Sequence, residues 1–193
     1  IYTLSLHDAL PICANADQMN SAATTHPRAE AHLRSFGSRE LRDVLGCFAT
    51  GVAVVTTIGD GGAPVGVTIN SFNSVSLNPP LVLWSLSLTA PSLSAFRNHR
   101  AFAVNILSED QVHIGRQFAR PAPNKFAGIE WQPGYKGVPL IAGTAARLEC
   151  RTWQRYEGGD HEIFIGEVID MAATDKAPLI FHRGRFARVD ELR

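Results

Sequence analysis

The segment from Gly66 to Ser87 constrains the fold more than any other part of the chain, because it mixes strand-forming apolar residues with uncharged polar ones. Apolar residues at this density are typical of buried strands. Buried hydroxyl and amide groups need hydrogen-bond partners. The segment therefore predicts a sheet whose polar groups either bond to its own loops or bind a ligand rich in acceptors, and we favour the ligand. Its polar residues include Thr68, Asn70, Ser71, Asn73, Ser74, Ser76, Ser85 and Ser87.

Short strand-like runs separated by turn signals recur along the rest of the chain. Gly59–Gly62 separates two of them and predicts a hairpin, and residues 108–111 have capping-box spacing. Long helices do not alternate regularly with the strands, and the sequence has neither a G-x-G-x-x-G fingerprint nor a P-loop. These patterns predict a mainly β fold, a closed or half-closed antiparallel barrel with two or three peripheral helices. We expect strands at 52–58, 64–70, 72–77, 81–86, 101–107, 148–152, 162–171 and 181–189, and helices at 38–49, 91–99 and from 108 towards 118.

The charge balance argues against partners that are held by bulk charge. Eighteen basic and eighteen acidic residues give a formal net charge of +0, whereas nucleic acids and anionic membranes are bound through excess positive charge. No apolar run approaches the ~20 residues that span a bilayer. We expect neither a nucleic-acid nor a membrane partner, although Arg183, Arg185 and Arg188 form a local basic cluster that could contact an anion.

The cysteines indicate a reducing compartment. They are three in number, widely spaced and in no C-x-x-C pattern, so the sequence predicts neither a disulfide framework nor a zinc site. This favours a cytoplasmic location. Cys47 and Cys150 stand among apolar residues and are expected to be buried, Cys47 on the inner side of its helix.

The N-terminal part of the chain is expected to lie outside the folded domain. Residues 2–12 resemble the conceptual translation of a common sequencing-adapter oligonucleotide, which predicts that residues 1–18 are artefactual and that Met19 is the true start. Residues 19–36 are polar and rich in alanine, which is typical of a flexible leader. The folded domain is therefore expected at 37–193.

His161 is the side chain best suited to contact a ligand. It follows a Gly-Gly-Asp turn and precedes a strand, so it should lie at the mouth of a hairpin, where it could stack on or hydrogen-bond a flat ligand. The alternative is an ordinary exposed histidine. A metal site built from Asp160, His161 and Glu162 is not expected, since adjacent strand residues point to opposite faces. No nucleophile has a convincing partner, which favours a reaction carried by a cofactor.

Three motifs, in this order and spacing, resemble the flavin reductase-like FMN-binding split-barrel family. They are Phe48–Thr57, Gly66–Ser76 followed by Pro79–Leu81, and Gly159–His161 leading into Ile165–Val168. Residues 124–126, Asn-Lys-Phe, resemble the family's Asp-Lys-Phe with Asn in place of Asp, which leaves the local role of Lys125 open. The resemblance extends over roughly residues 38–190 and is greatest to the reductase components of two-component flavin-dependent monooxygenases.

The resemblance implies a homodimeric antiparallel split β-barrel of Greek-key type that binds FMN or FAD near the subunit interface. NADH or NADPH would deliver hydride to the flavin, and the reduced flavin would diffuse to a separate oxygenase component. His161 would be the catalytic residue, on the nicotinamide side together with Gly159 and Asp160. The implied flavin contacts are Thr50, Gly51 and Val52 along the ring, Thr68, Ile69, Asn70 and Ser71 at its polar edge and ribityl chain, and Ser85, Ser87, Phe118 and Lys125 towards the phosphate.

Two other functions remain open at this point. A split-barrel flavoprotein could retain its flavin and reduce a substrate directly. A flavin- or haem-binding module without turnover is the other alternative. The sequence does not decide between FMN and FAD or between NADH and NADPH, and it does not identify the oxygenase partner.

Overall fold

The computed structural model describes residues 35–190, so the expectations for residues 1–34 lie outside the described part of the chain. Within it, three α-helices and twelve strands alternate with short turns. The helices are α1 (Ser38–Leu45), α2 (Leu93–His99) and α3 (Val112–Ala119). The strands are β1 (Thr50–Gly51), β2 (Ala53–Ile58), β3 (Pro64–Ile69), β4 (Asn73–Leu77), β5 (Pro80–Ser87), β6 (Ala101–Ile106), β7 (Trp131–Pro133), β8 (Pro139–Ile141), β9 (Ala146–Gly158), β10 (His161–Ala173), β11 (Ile180–His182) and β12 (Arg185–Ala187).

Seven strands form one antiparallel sheet in the order β3-β2-β6-β9-β10-β5-β4. Its two edge strands, β3 and β4, are consecutive in sequence and are joined only by residues 70–72. Four Cα steps span at most about 15 Å, whereas the edges of a flat seven-stranded sheet lie roughly 29 Å apart. The sheet must therefore curl until its edges approach each other, which confirms the predicted antiparallel split barrel.

One face of this sheet encloses an aromatic core. The Trp84 ring stacks on Phe164 with 4.7 Å between centroids and meets Phe96 and Phe102 edge-on. Phe96 comes from α2, so this helix closes the core that the strands begin. A second buried cluster lies beneath α3 and includes Phe118. Burial on both faces accounts for the almost uninterrupted apolar character of β2 and β6.

Buried polar groups within the sheet are bonded to the chain itself. The Asn105 amide nitrogen donates to the Val54 carbonyl at 3.0 Å, and its amide oxygen accepts from the Ile141 N–H at 2.8 Å. The Thr57 hydroxyl donates to the Ala101 carbonyl at 2.8 Å. These bonds join β2, β6 and β8, so part of the polar content of the apolar strands is structural.

The hairpin of β2 and β3, the capping box at Ser108 and the buried Cys150 are all confirmed. Burial and the neighbouring carboxylate of Glu149 raise the pKa of the Cys150 thiol to about 12. The predicted final strand is instead a hairpin of β11 and β12, because Arg183 and Gly184 adopt positive φ and turn the chain.

The predictions for α1 were partly wrong. The helix begins at Ser38 as expected but ends at Leu45 rather than at residue 49. Its apolar side is exposed, since Val44 retains 66% of its accessible surface. Cys47, expected to be buried on the inner side of the helix, lies beyond the end of the helix and is exposed, with its Sγ accepting from Arg183 Nη2 at 3.4 Å.

Candidate functional site

The turn between β9 and β10 positions His161 beside β5. Gly159 has a φ of +70°, a conformation that glycine adopts without strain and that allows the chain to reverse here. His161 is the first residue of β10 and pairs with Ser87 on β5 and with Gly158 on β9. The backbone N–H of Leu88 donates to the Asp160 carbonyl at 2.9 Å, which holds the turn against the end of β5. This register brings His161 and Ser87 together.

The imidazole of His161 is half-exposed and has one side-chain partner. Its Nδ1 lies 2.7 Å from the Asp160 carboxylate, which is itself almost fully exposed. The hydrogen bond with His161 lowers the pKa of Asp160, so this carboxylate remains ionised at neutral pH. Asp160 therefore orients the ring through Nδ1 and leaves Nε2 available for a ligand.

His161 lies at the edge of a cleft of about 1050 Å³. This cleft, called here the hairpin cleft, has a size typical of ligand sites. Its lining includes Arg97, Arg100, Arg155, His161 and Glu162. The three arginines were not singled out from the sequence, because they come from α2, the end of α2 and β9, which only the fold brings together. The alternation of side chains along a strand predicted that Glu162 and His161 point to opposite faces of the sheet. It did not indicate which residues Glu162 would contact.

The hydroxyls of Ser71, Ser85 and Ser87 lie near this end of β5, but two of them are engaged within the chain. Ser71 Oγ accepts from the Ser85 N–H at 3.1 Å and lies 3.3 Å from the Ser85 carbonyl. Ser87 Oγ lies 2.9 Å from Thr89 Oγ1 and accepts from the Thr89 N–H. The Ser71 contact ties the connector between the two edge strands to β5. Asn70, in the same connector, is exposed.

The predicted contacts along the flavin ring divide into open and buried positions. Gly51 faces open space, since a Cβ built there would meet no atom within 4 Å. Thr50 has a buried hydroxyl with no hydrogen-bond partner among the described residues. The side chains of Val52 and Ile69 are buried in the two apolar clusters, so only their backbones could contact a ligand.

Thr68 is bonded to a neighbouring helix. Its hydroxyl donates to the Gly115 carbonyl of α3 at 2.8 Å, which uses the only donor that a threonine side chain has. The oxygen can still accept a hydrogen bond. Thr68 thus fixes α3 against β3 and could contribute to a ligand only as an acceptor.

Phe118 and Lys125 lie at a second cleft of about 1250 Å³, which does not include His161. The Phe118 side chain is completely buried, with its ring packed edge-on against Phe126, so the predicted phosphate contact by this residue is restricted to its backbone. Lys125 Nζ donates to the Phe118 carbonyl at 2.9 Å, and burial lowers the pKa of its ammonium group. Lys125 therefore fastens the loop after α3 as well as bordering this cleft.

The predicted contacts fit a flavin in part. The unpartnered Thr50 hydroxyl beside the open backbone of Gly51 is what a ring edge with hydrogen-bonding groups would satisfy. The Ser71 and Thr68 donors are already used, so a ligand there would be held mainly by backbone groups and by hydroxyls acting as acceptors. The roles of all these residues stay predictions.

Residues 35–190 contain no group of three or more His, Cys, Asp or Glu side chains that could hold a metal ion. Among the helices of that same range, none has both the length and the apolar character needed to cross a membrane.

Comparison with known proteins agrees with the resemblance of the motifs. The model of the flavin reductase like domain matches residues 45–190. An FMN reductase (NADH), SmoA from Agrobacterium fabrum, is 45% identical over 151 residues, which cover 78% of this chain and 86% of that protein. The reductase component of a flavin-dependent trigonelline monooxygenase from Acinetobacter baylyi is 44% identical, over 77% of this chain but only 48% of its own length. The chain therefore spans about half of that relative.

A solved structure gives the same answer for the fold. The NADH:FAD oxidoreductase SgcE6 from Streptomyces globisporus, in complex with NAD and FAD fragments, superposes with a TM-score of 0.75 at 43% identity, covering 79% of this chain and 92% of that one. With the barrel, the motifs and the match over most of its length in agreement, this chain belongs to the flavin reductase-like domain family.

Proposed function

We propose that this protein is an NAD(P)H-dependent flavin reductase that supplies reduced FMN or FAD to a separate oxygenase. The observation that carries the proposal is the pairing of His161 with Ser87 at the edge of the hairpin cleft. It joins the strand with the predicted flavin contacts to the histidine predicted for the nicotinamide. The relatives support the same activity, since they include an FMN reductase (NADH) and a monooxygenase reductase component.

The residues of this chain would bind and orient rather than exchange protons. A bound flavin accepts hydride from reduced nicotinamide, and this transfer depends on the stacking of the two rings. His161 would hold the nicotinamide side through Nε2 while Asp160 fixes its ring. Thr50 and Gly51 would lie along the flavin. The hydride transfer itself needs no acid or base from the protein.

Most of the predicted flavin contacts are neutral, which supports release of the reduced flavin; the exception, Lys125, already donates to the Phe118 carbonyl. Ser71, Ser85 and Ser87 carry no charge, and the hydroxyls of Ser71 and Ser87 already have partners within the chain. A phosphate that meets mainly such groups loses less binding energy on leaving than one held by bidentate arginines. We infer that flavin is handled as a substrate, which the two-component arrangement requires.

We further propose that the domain at 37–193 works as a homodimer in the reducing cytoplasm. Exposed apolar side chains lie on α1, on β4 and on β10, namely Leu41, Val44, Leu45, Val75, Leu77, Ile169 and Met171. Exposed apolar side chains in such number are typical of association sites, and a two-fold pair of identical chains is the commonest way to cover them. Cys47 and Cys150, which are free cysteines within residues 35–190, are in keeping with a reducing compartment.

A direct assay tests the reductase activity. Purified protein is mixed with NADH or NADPH and with FMN or FAD, and the loss of the reduced-nicotinamide absorbance is followed. We expect turnover with at least one of the four pairs. The product should be free reduced flavin, which passes through an ultrafiltration membrane that retains the protein. Absence of oxidation with all four pairs would contradict the proposal, whereas flavin that stays bound through turnover would favour direct reduction of a substrate.

The dimer is tested by light scattering on the eluting protein. Wild type should elute with twice the chain mass, and Val44→Asp together with Leu77→Asp should give monomer. The exposed Leu88→Asp, away from the proposed interface elements, is the matched control and should remain dimeric. A monomeric wild type at micromolar concentration would refute this part of the proposal.

A further inference from the structure

Glu162 is a buried carboxylate held by two arginines. Only 7% of the residue is exposed. Its Oε2 accepts from Arg97 Nε at 2.7 Å and from Arg97 Nη2, and its Oε1 lies 3.1 Å from Arg155 Nη1. A buried carboxylate is costly unless it is paired and hydrogen-bonded in this way. Both of its oxygens are therefore engaged, and both guanidinium groups are fixed relative to β10.

The arginines keep unused donors in the hairpin cleft. A guanidinium has five N–H groups, and Glu162 engages two nitrogens of Arg97 and one of Arg155. The side chains of Arg97 and Arg155 remain 45% and 40% exposed. Both arginines line the hairpin cleft, and His161 is among its other lining residues.

Arg100 adds a third guanidinium to the same cleft. It ends α2 in a left-handed conformation with a φ of 58°, and its carbonyl accepts from the Thr152 N–H at 3.0 Å. No ion pair of Arg100 occurs within residues 35–190. Three arginines thus face two glutamates in the lining, Glu162 and the exposed Glu157. The lining alone is positive, but the carboxylate of Asp160, which is bonded to His161 at the edge of the cleft, offsets this excess, so the available guanidinium donors rather than a net charge indicate an anion site.

A second ion pair on the same two strands shows what an ordinary pairing looks like. Arg151 on β9 donates to Glu167 on β10 through Nε at 3.1 Å and through Nη2. This pair is one-to-one and lies outside the hairpin cleft. It balances its own charge, whereas two guanidinium groups share the single carboxylate of Glu162. The two-to-one arrangement at Glu162 therefore indicates a ligand role, which the one-to-one pair of Arg151 and Glu167 does not have.

We propose that Arg97, Arg100 and Arg155 bind the diphosphate of the nicotinamide dinucleotide, and that Glu162 is the positioning residue that fixes Arg97 and Arg155 for this contact. The inference rests on the proposed reductase function. One ribose separates the nicotinamide ring from the diphosphate, so a ring at His161 places the phosphates near the same cleft. Planar guanidinium groups match phosphate oxygens in a bidentate manner.

The flavin phosphate is the other possible source of a phosphoryl group, and the lining argues against it. The predicted flavin contacts Thr50, Thr68, Ser71 and Ser85 do not line the hairpin cleft, whereas Gly159 and His161 do. The arginines therefore belong with the nicotinamide side of the site.

The test measures binding of ADP-ribose, which has the diphosphate but no nicotinamide, by calorimetry on the full chain. Wild type should bind, and Arg155→Gln and Arg97→Gln should each weaken binding about tenfold, as expected for loss of a charge-assisted hydrogen bond. Arg151→Gln is the matched control on the same strand and should leave the affinity unchanged. FMN affinity should be the same in all variants.

The variant Glu162→Gln tests whether Glu162 positions the two arginines or only contributes a negative charge to the cleft. If Glu162 only repelled phosphate, its neutralisation would tighten ADP-ribose; if it positions the arginines, binding should weaken several-fold. In turnover, the KM for NADH should rise with kcat nearly unchanged. Thermal unfolding checks that the variant is folded, and Glu167→Gln provides the matched control.

The outcomes distinguish this inference from the proposed function. If no flavin supports NADH oxidation but ADP-ribose binds and Arg155→Gln weakens it, the reductase function is wrong and the diphosphate site stands. If NADH is oxidised while Arg155→Gln and Arg151→Gln bind ADP-ribose equally, the inference is overturned. It is also overturned if wild type does not bind ADP-ribose, or if the arginine variants weaken FMN instead.

Discussion

The neutral polar groups between β3 and β5 and the charged groups of the hairpin cleft use their hydrogen-bonding capacity in opposite ways. The hydroxyls of Thr68 and Ser71 donate to backbone carbonyl groups of the chain itself. His161, by contrast, keeps Nε2 free while Asp160 engages Nδ1. The difference teaches that a high density of polar residues in a sheet does not by itself mark a binding site. What distinguishes the hairpin cleft is that its groups are fixed and yet left partly unmatched.

Substitutions on the two sides should therefore have different effects. On the β3–β5 side, changes should first lower the free energy of unfolding, because these side chains hold the barrel edges and α3 together. On the hairpin side, changes should alter the handling of nicotinamide while the stability of the fold is nearly kept.

Gly66→Ala should have the largest effect on stability. A Cβ at Gly66 would lie 2.5 Å from Cε1 of the Phe118 ring, and that ring is completely buried and cannot move aside. Overpacking of this kind costs about 1–3 kcal/mol. Gly51→Ala, where a Cβ meets open space, is the control and should unfold like wild type in urea. Equal stability of both variants would contradict the packing described for β3.

Thr68→Val should have a smaller effect on the same side. It removes the hydroxyl that donates to the Gly115 carbonyl and should lower the free energy of unfolding by about 1 kcal/mol. Thr68→Ser keeps the hydroxyl and should retain most of the stability. Denaturant unfolding and the KM for flavin are measured together. If the valine variant unfolded like wild type and lost flavin affinity, Thr68 would belong to the ligand rather than to the fold.

Asp160→Asn should have the smallest effect, on the hairpin side. The carboxylate is exposed, so melting at neutral pH should be unchanged, and the KM for NADH should rise by no more than about threefold. The folded-state pKa of Asp160 lies below its ordinary value of 3.8 because of the hydrogen bond with His161. Any stabilisation from this pair is therefore present above that value and is lost only as the pH falls through the depressed pKa. A step in wild-type stability near neutral pH that vanishes in Asp160→Asn would contradict this.

Much of the fold could be predicted from local signals. The turn at Gly59–Gly62, the capping box at Ser108 and the Gly-Gly-Asp turn before His161 all depend on neighbouring residues, and the structure confirms each of them. The prediction for α1 was wrong at its C-terminal end, which lies at Leu45. Its amphipathic pattern also indicated a buried face, but a pattern cannot say which chain covers it, and Cys47 is exposed here.

The site was less predictable because it depends on contacts distant in sequence. Glu162 is adjacent to His161, yet its partner Arg97 is 65 residues away on α2. Thr68 was interpreted as a ligand contact, whereas its donor is used by α3, 47 residues further along. In each case the residue could be identified from the sequence, but its partner could be identified only from the folded barrel.

The most direct test of the account compares His161→Ala with Ser71→Ala in steady-state turnover with NADH and FMN. For His161→Ala we expect kcat/KM for NADH to fall about tenfold or more, the cost of losing a hydrogen bond to the substrate, with an unchanged KM for FMN and an unchanged melting temperature. For Ser71→Ala we expect the reverse, a lower melting temperature with NADH handling nearly intact. Normal NADH kinetics in His161→Ala, or loss of FMN binding in that variant alone, would contradict the assignment of the hairpin cleft to the nicotinamide.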